Sequence, residues 1–154
     1  NGNAFKDLYL SGGVVFGDSG GTGTNTSNTL DEYEEGDCTM TLGSTGTSPT
    51  ITQGNNFSGR YTRIGNICTV RGYTSVRNIT NAGTGNPTIS GLPFLVASYS
   101  QPVFAHNNLF LNSTSGYTES NTNYFFPIKD GTVQTDNYTT GTKYFMFTLT
   151  YFVQ

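Results

Sequence analysis

The sequence predicts an all-β protein, and two observations lead to that fold class. Short segments with β-strand character recur at intervals of roughly ten residues, and Gly, Asn and Ser separate them. No part of the sequence shows the 3.6-residue periodicity of an amphipathic helix. These features indicate an antiparallel β-sandwich of jelly-roll type or a barrel, and we favour the sandwich, preceded by a short β-rich stem.

A change in composition divides the chain into two parts. Residues 1–27 form a predicted stem and oligomerisation segment with a Gly-rich linker, and residues 28–154 form the predicted sandwich domain. In the stem, residues 5–10 and 14–16 are predicted as short strands around a glycine turn. Segments below about 40 residues usually need disulfides, metals or oligomerisation to be stable. We therefore expect the apolar stem side chains to pack against other copies of the chain.

The acidic junction between the two parts has two interpretations. Asp31 and Glu32 would be favourable near the N-terminus of a single helical turn that ends at Gly36. An irregular turn explains the same residues. The spacing of the carboxylates matches no calcium loop, so we predict no metal site here.

From Cys38 onward the apolar residues alternate with a period of two, which is typical of strands. Residues 61–64 and 67–73 are predicted to form a hairpin, because the Gly65-Asn66 pair has the dihedral freedom of a tight turn. Turns are predicted at residues 106–107 and 129–131. Further strands are predicted at residues 39–51, 87–90, 94–98, 102–105, 108–112, 123–128, 132–135 and 143–153.

The last predicted strand, residues 144–153, is apolar or aromatic on both faces through much of its length. A strand of this kind is normally covered on both sides. Central placement in a sandwich would cover it, and so would a core on one face with a subunit interface on the other.

The composition favours neutral polar partners. Charged residues make up 11% of the chain and the net charge is −3, whereas about a quarter of the residues of an average domain are charged. We therefore expect no binding of nucleic acid. No apolar run approaches the roughly 20 residues of a membrane span, so we expect no membrane insertion. The cations that cluster in sequence are interpreted as part of a solvated hairpin face: Arg60, Arg63, Arg71 and Arg77.

The two cysteines, Cys38 and Cys68, lack the spacing of metal ligands. We interpret them as two buried, small apolar side chains. A single disulfide between neighbouring strands is the alternative.

Little in the sequence indicates catalysis. His106 lies in a predicted turn, and nothing places a serine and an acid beside it. Glycoside hydrolysis needs two carboxylates that flank the bond, and Glu119, Asp130 and Asp136 show no pairing in the sequence. No cofactor motif is present. We predict a protein that is not an enzyme and has no cofactor and no metal.

Two turn-like segments have the composition of a sugar-binding site. An aromatic ring can cover the C–H face of a sugar, while amides and carboxylates pair with its hydroxyls. Loops of this kind often carry function, although an Asn-, Thr- and Tyr-rich chain has such loops in any case. The predicted ligand-binding residues are Tyr117, Asn121, Tyr124, Asp136, Asn137 and Tyr138.

Three phrases, in this order and spacing, resemble the C-terminal receptor-binding module of bacteriophage tail fibre and tailspike proteins. They are Leu-Asp-Glu-Tyr-Glu-Glu-Gly at residues 30–36, Tyr-Thr-Arg-Ile-Gly-Asn at residues 61–66 and Ile-Ser-Gly-Leu-Pro-Phe at residues 89–94. Residues 7–14 are similar to the stem that often precedes such modules. After Glu-Glu-Gly these modules usually carry an aromatic residue and Thr-Pro, where this chain has residues 37–40. The replaced aromatic implies different packing there, and Cys68 is the candidate partner.

The resemblance implies a homotrimeric, β-rich tip of a virion appendage. Such a tip would be assembled in the host cytoplasm and would bind polysaccharide on the bacterial surface. The resemblance fixes no set of binding residues. A structural alternative is a trimerisation and folding module at the end of the fibre, with receptor binding done elsewhere. A polysaccharide depolymerase is a third interpretation.

Overall fold

The computed structural model of the chain describes residues 14–15, 29–30, 32–110, 112–129, 132–133 and 138–154. Within these residues all regular structure is β and every strand pairing is antiparallel, which confirms the predicted class. The strands are β1 Val14–Val15, β2 Thr29–Leu30, β3 Tyr33–Ser44, β4 Thr50–Ile51, β5 Asn56–Ile64, β6 Ile67–Tyr73, β7 Arg77–Asn81, β8 Pro87–Ser90, β9 Val103–Asn107, β10 Ser115–Thr118, β11 Tyr124–Lys129, β12 Thr132–Val133, β13 Gly141–Lys143 and β14 Phe145–Phe152.

Eight strands of the largest sheet close into a barrel. Their order around the ring is β9-β14-β6-β5-β3-β8-β11-β10, and β10 pairs with both β9 and β11 to complete it. Strand β12 pairs with β11 beside the ring. The favoured sandwich is therefore wrong and the barrel alternative describes the sheet, because the β10–β11 pair joins two edges that an open sheet leaves unpaired.

The interior of the barrel is filled mainly by aromatic and branched side chains. Along β14, buried and exposed residues alternate, so that Phe145, Phe147, Leu149 and Tyr151 all point inward. Phe147 packs edge-on to Phe57 of β5, with ring centroids 6.5 Å apart. Each such side chain contributes about 1.5–3 kcal/mol when it is fully buried, so this core stabilises the barrel within a single chain.

A small three-stranded sheet of β4, β7 and β13 adds to the same core. Ile51 of β4 and Ile79 of β7 are buried in the core cluster. Arg77 connects this sheet to its surroundings, because its guanidinium donates to the carbonyl oxygens of Thr74, Gln53 and Asn56. Charge-assisted hydrogen bonds of this kind are stronger than neutral ones.

The stem prediction is described in part. Val14–Val15 is a strand, as the prediction for residues 14–16 requires, and it pairs with Thr29–Leu30. The predicted strand at residues 5–10 lies outside the described residues.

In the described residues of the acidic junction, Leu30 and residues 33–36 are in strands, so neither a helical turn that ends at Gly36 nor an irregular turn is found there. Strand β3 begins at Tyr33, which is paired with Ile64 of β5. Two acidic side chains then find partners on β5: Glu32 forms an ion pair with Arg63, and Glu34 accepts a hydrogen bond from the Tyr61 hydroxyl. Pairing with the neighbouring strand thus overrides the local preference for a turn.

The predicted hairpin is confirmed. Strands β5 and β6 meet at Ile64 and Ile67, and Gly65 has the positive φ of 57° that its turn needs. Strand β8 also has the predicted bounds. Two predicted strands are wrong: residues 94–98 form only an isolated bridge at Val96, and no strand is found at the described positions of 108–112.

Asn107 explains the second error. Its side-chain amide donates to the carbonyl oxygens of Phe110 and Ser113, and its side-chain oxygen accepts from the backbone N–H groups of Leu109 and Phe110. One asparagine thereby supplies hydrogen bonds that a strand partner would otherwise make. The predicted turn at residues 106–107 is wrong, because both residues belong to β9.

The last strand is central, between β6 and β9, but only one of its faces is covered within the chain. Met146 and Phe152 on its other face are exposed. Central placement in a sandwich, the first explanation for a strand covered on both sides, is therefore wrong, while a subunit interface on the outer face stays a prediction.

The cysteines are free, which matches the interpretation as small apolar side chains and not the disulfide. Cys38 is paired with Gly59 and Cys68 with Arg63, so they do not lie opposite each other. Burial is the largest cause that raises the pKa of both thiols, so both remain protonated.

Candidate functional site

A cluster of aromatic rings lies on the outside of the barrel where β10 and β11 close it. We call it the aromatic ridge; it comprises Tyr99, Tyr117, Tyr124 and Phe126. The rings of Tyr99 and Tyr117 stack with centroids 6.3 Å apart, and Phe126 lies 5.4 Å from Tyr117 and 5.2 Å from Tyr124. Tyr99 is 73% exposed. Tyr117 and Tyr124 are half-buried, and Phe126 is 6% exposed beneath the tyrosine rings. The ridge therefore offers the ring of Tyr99 and parts of Tyr117 and Tyr124 to the solvent.

The alternation of the two strands produces this arrangement. Tyr117 on β10 is opposite Phe126 on β11, and neither belongs to the core cluster, although Phe126 is covered by the tyrosine rings and only 6% exposed. The neighbouring residues Thr118 and Phe125 are buried. Because successive side chains of a strand point to opposite faces, the same pair of strands fills the core and builds the ridge.

One carboxylate serves two tyrosines of the ridge. The Tyr117 hydroxyl donates to Glu119 Oε1 at 3.3 Å, and the Tyr124 hydroxyl lies 3.5 Å from Glu119 Oε2. Burial, followed by the charge of Glu119, raises the pKa of both tyrosines. Both hydroxyls therefore stay protonated at neutral pH and are held at fixed positions beside a carboxylate.

The loop between β10 and β11 is fixed by its own hydrogen bonds. The hydroxyl of Thr122 donates to the carbonyl oxygen of Glu119 at 2.6 Å. Asn121 has a positive φ of 63°, and its side-chain oxygen accepts from Gln154 Nε2 at 2.6 Å. Asn121 as a whole is exposed.

A shallow cavity of about 240 Å³ adjoins the ridge. It is smaller than the 300–1,000 Å³ of pockets for drug-sized ligands, so its size suits one sugar ring. Its lining combines two aromatic rings with small polar groups: Tyr99, Ser100, Gln101, Gly116, Tyr117 and Ile128.

The structure brings together only some of the predicted binding residues. Tyr117, Asn121 and Tyr124 lie around Glu119, as described above. Asp136 and Asn137 lie outside the described residues. Tyr138 is a correction: its side chain is 1% exposed, and its hydroxyl donates to the carbonyl oxygens of Gly43 and Thr88. A tyrosine buried in this way supports the core and presents no surface to a ligand.

The sequence interpretation missed two ridge residues, Phe126 and the exposed Tyr99. Tyr99 is the more important of the two. Tyr99 follows the predicted strand at residues 94–98, and nothing in the sequence indicates that it contacts another aromatic ring. Its ring meets Tyr117 because Ser100 and Thr118 hold the two segments together: the backbone N–H of Ser100 donates to Thr118 Oγ1 at 2.7 Å. The only local signal was an aromatic residue between two serines.

His106 forms no catalytic group in the described part of the chain. It is exposed at the end of β9, and its ring stacks on Tyr144 with centroids 3.9 Å apart. Among the residues with described side chains, no group of three or more His, Cys, Asp or Glu is placed to hold a metal ion. The described residues also contain no helix that is long and apolar enough to span a membrane.

Comparisons with known protein families, with curated proteins and with solved structures found no match.

Proposed function

We propose that this chain is the tip of a bacteriophage tail fibre or tailspike, which attaches the virion to the bacterial surface by binding polysaccharide there. The binding causes no chemical change in the glycan. Three copies associate through residues 1–27, and residues 28–154 face the host. The resemblance of residues 30–36, 61–66 and 89–94 to tail-fibre modules supports this assignment.

The observation that carries the proposal is the carboxylate of Glu119 between two tyrosine hydroxyls, next to the exposed ring of Tyr99. Aromatic rings cover the C–H face of a sugar, and a carboxylate accepts hydrogen bonds from its hydroxyls. Because β10 and β11 hold these groups in place, little conformational entropy is lost on binding. The neutral sugar units of a polysaccharide are thus suitable ligands for the ridge.

A single shallow site binds weakly, and three tethered copies of the site would raise the overall affinity. Once one copy binds a repeating polymer, the others rebind at a high effective concentration. The proposed trimer therefore explains how a site of this size supports attachment to a cell.

Adsorption of the labelled chain to a panel of bacterial strains tests the proposal, followed by binding to polysaccharide purified from a strain that adsorbs it. Tyr99→Ala and Glu119→Gln should each weaken binding about tenfold, which corresponds to about 1.4 kcal/mol. Val76→Ala is the control, because Val76 is also an exposed apolar residue, at 55%, and belongs neither to the ridge nor to a proposed interface between copies.

Two outcomes would contradict the proposal. One is the absence of binding to every strain and polysaccharide tested. The other is a loss in Val76→Ala as large as that in Tyr99→Ala, which would show that binding does not depend on the ridge. Reducing ends that appear during incubation would instead favour the depolymerase.

A structural trimerisation module is the second candidate, and one observation favours it. Four exposed apolar side chains form a continuous row across neighbouring strands, in register from β3 to β14. Exposed apolar patches of this kind often mark protein interfaces. We call it the apolar row: Tyr33, Ile64, Ile67 and Phe152.

A further inference from the structure

Two arginines lie directly opposite each other on the outer face of the barrel. Arg60 of β5 is paired with Arg71 of β6, and both are exposed. Directly opposite residues on one face have Cβ atoms about 4.5–5.5 Å apart, and like charges at that distance are destabilising. An anion between the two guanidinium groups would remove this repulsion.

Arg60 and Arg71 differ from the other two arginines of the chain, which have hydrogen-bond partners. Arg63 forms an ion pair with Glu32 and donates to the carbonyl oxygen of Gly65, and Arg77 donates to three carbonyl oxygens. For Arg60 and Arg71 the structure shows no hydrogen bond or ion pair with any described residue. Even Asp37, which is paired with Arg60 from β3, forms no ion pair with it.

Two neighbouring cavities share these arginines. One, of about 340 Å³, is bounded on its far side by Tyr73, Met146 and Thr148. The other, of about 330 Å³, is bounded by Glu35, Thr62 and Thr69. Arg60 and Arg71 line both, so the guanidinium groups stand between an apolar and a hydroxyl-rich depression. We call the whole surface the arginine groove.

We propose that the arginine groove binds the carboxylate of an acidic sugar. The two guanidinium groups would donate charge-assisted hydrogen bonds to the carboxylate. Tyr73 and Met146 would contact the apolar face of the ring, and the threonine hydroxyls would pair with hydroxyls of a neighbouring sugar. This inference rests on the proposed glycan binding and adds the chemical class of the glycan.

The surrounding charges favour a sugar acid over a continuous polyanion. Asp37 and Glu35 lie on the β3 side of the groove, and the net charge of the chain is −3. A nucleic acid would bring a phosphate every few ångströms against these carboxylates. A polysaccharide in which neutral sugars separate the acidic ones places one carboxylate between the arginines and hydroxyls elsewhere.

The groove and the aromatic ridge are on opposite sides of the barrel. Two strands separate β10 from β6, and two separate β11 from β5. A change in one surface therefore leaves the other intact, and the two can be tested separately.

The two methionines provide the test. Met146 lines the groove and is 37% exposed, whereas Met40 is 0% exposed in the core. In a full-length chain labelled with ¹³C at the methionine methyl groups, NMR titration with glucuronate and galacturonate should shift the Met146 signal in a saturable way. Glucose and galactose, which lack the carboxylate, should shift it at least tenfold less at equal concentration, and the Met40 signal should stay fixed.

Variants then assign the effect to the arginines. Arg60→Gln and Arg71→Gln should each weaken the response to the uronates about tenfold, as expected for the loss of a charge-assisted contact. Lys143→Gln, which removes one positive charge on β13, should leave it unchanged. Tyr99→Ala should also leave it unchanged, even if the ridge proves not to bind glycan.

Three results would overturn the inference. The first is a Met146 signal that fails to respond to either uronate, or responds equally to the neutral sugars. The second is an equal response to inorganic phosphate, which would indicate an anion site without sugar recognition. The third is a change in oligomeric mass in Arg60→Gln and Arg71→Gln, which would place the arginines at an interface between copies. The sugar comparison uses the unaltered chain, so it holds even where a variant fails to fold.

Discussion

Three tyrosines of this chain occupy very different environments. Tyr33 is exposed and donates to a carboxylate, Tyr117 is partly covered by two other rings, and Tyr138 is enclosed by the core. A tyrosine has a large apolar surface and one polar atom, so each position is compatible with its chemistry. What distinguishes them is the partner of the hydroxyl: a side chain at the surface, and backbone carbonyl oxygens in the core.

Tyr61 should link stability to pH. Its hydroxyl donates to the carboxylate of Glu34, and this hydrogen bond is the largest cause that raises the pKa of Tyr61 to about 12. Tyrosine in an unfolded chain has a pKa near 10. Because the folded state holds the proton more tightly, the stabilisation is present below about pH 10 and is lost as the pH rises towards 12.

Urea unfolding on both sides of pH 10 measures this effect. The unaltered chain should lose stability more steeply above pH 10 than Tyr61→Phe, which has no proton to lose there. Burial also raises the pKa of Tyr138 and Tyr151. The unaltered chain and Tyr61→Phe both keep these two tyrosines, so their effect is the same in both pH profiles. Parallel pH profiles would contradict the prediction.

The β10–β11 pair decides the architecture at the level of elements. It joins the two ends of the sheet, and it also presents Tyr117 and Phe126 on the outer face. The close approach of these strands depends on Gly116. A Cβ atom at this position would lie 2.3 Å from the carbonyl oxygen of Phe126, which is backbone and cannot move away cheaply.

Gly116→Ala should therefore destabilise the protein by about 1–3 kcal/mol, the usual cost of overpacking. It should also displace the ridge, because the strands must separate to admit the methyl group. Ser115→Ala is the control on the same strand. Urea unfolding gives the stability, and the near-ultraviolet circular dichroism of the tyrosines reports on the ridge. Equal stability of the two variants would show that the closing pair tolerates a wider spacing.

The elements that the sequence predicts well are those specified by neighbouring residues. The hairpin at Gly65-Asn66 depends on a local turn, and β8 on a short alternating segment. Barrel closure and the ridge depend on contacts between distant segments, such as Tyr99 with Tyr117. Part of the ridge was predicted because Tyr117, Glu119 and Tyr124 share one loop. The opposed arginines were also accessible from the sequence, since the hairpin register places residue 60 opposite residue 71.

At the level of the whole molecule, the barrel and the proposed stem differ in how they can be stabilised. The barrel has its core within one chain, formed by the inward side chains of its strands. Residues 1–27 contain apolar side chains but too few residues to bury them alone. Association of copies should therefore depend on the stem, or on the apolar row, and not on completion of the barrel core.

Sedimentation of the full chain distinguishes these cases. The proposed fibre tip should sediment as a trimer. Leu8→Ser with Leu10→Ser should convert it to single chains whose barrel still unfolds cooperatively, because its core is intact. If the structural module is correct, Ile64→Ser with Phe152→Ser should dissociate the trimer instead, since both residues belong to the apolar row. Tyr99→Ala, an exposed residue elsewhere, should leave the mass unchanged. An unaltered chain that sediments as a single copy at high concentration would contradict both, because neither the stem nor the row would then have a partner.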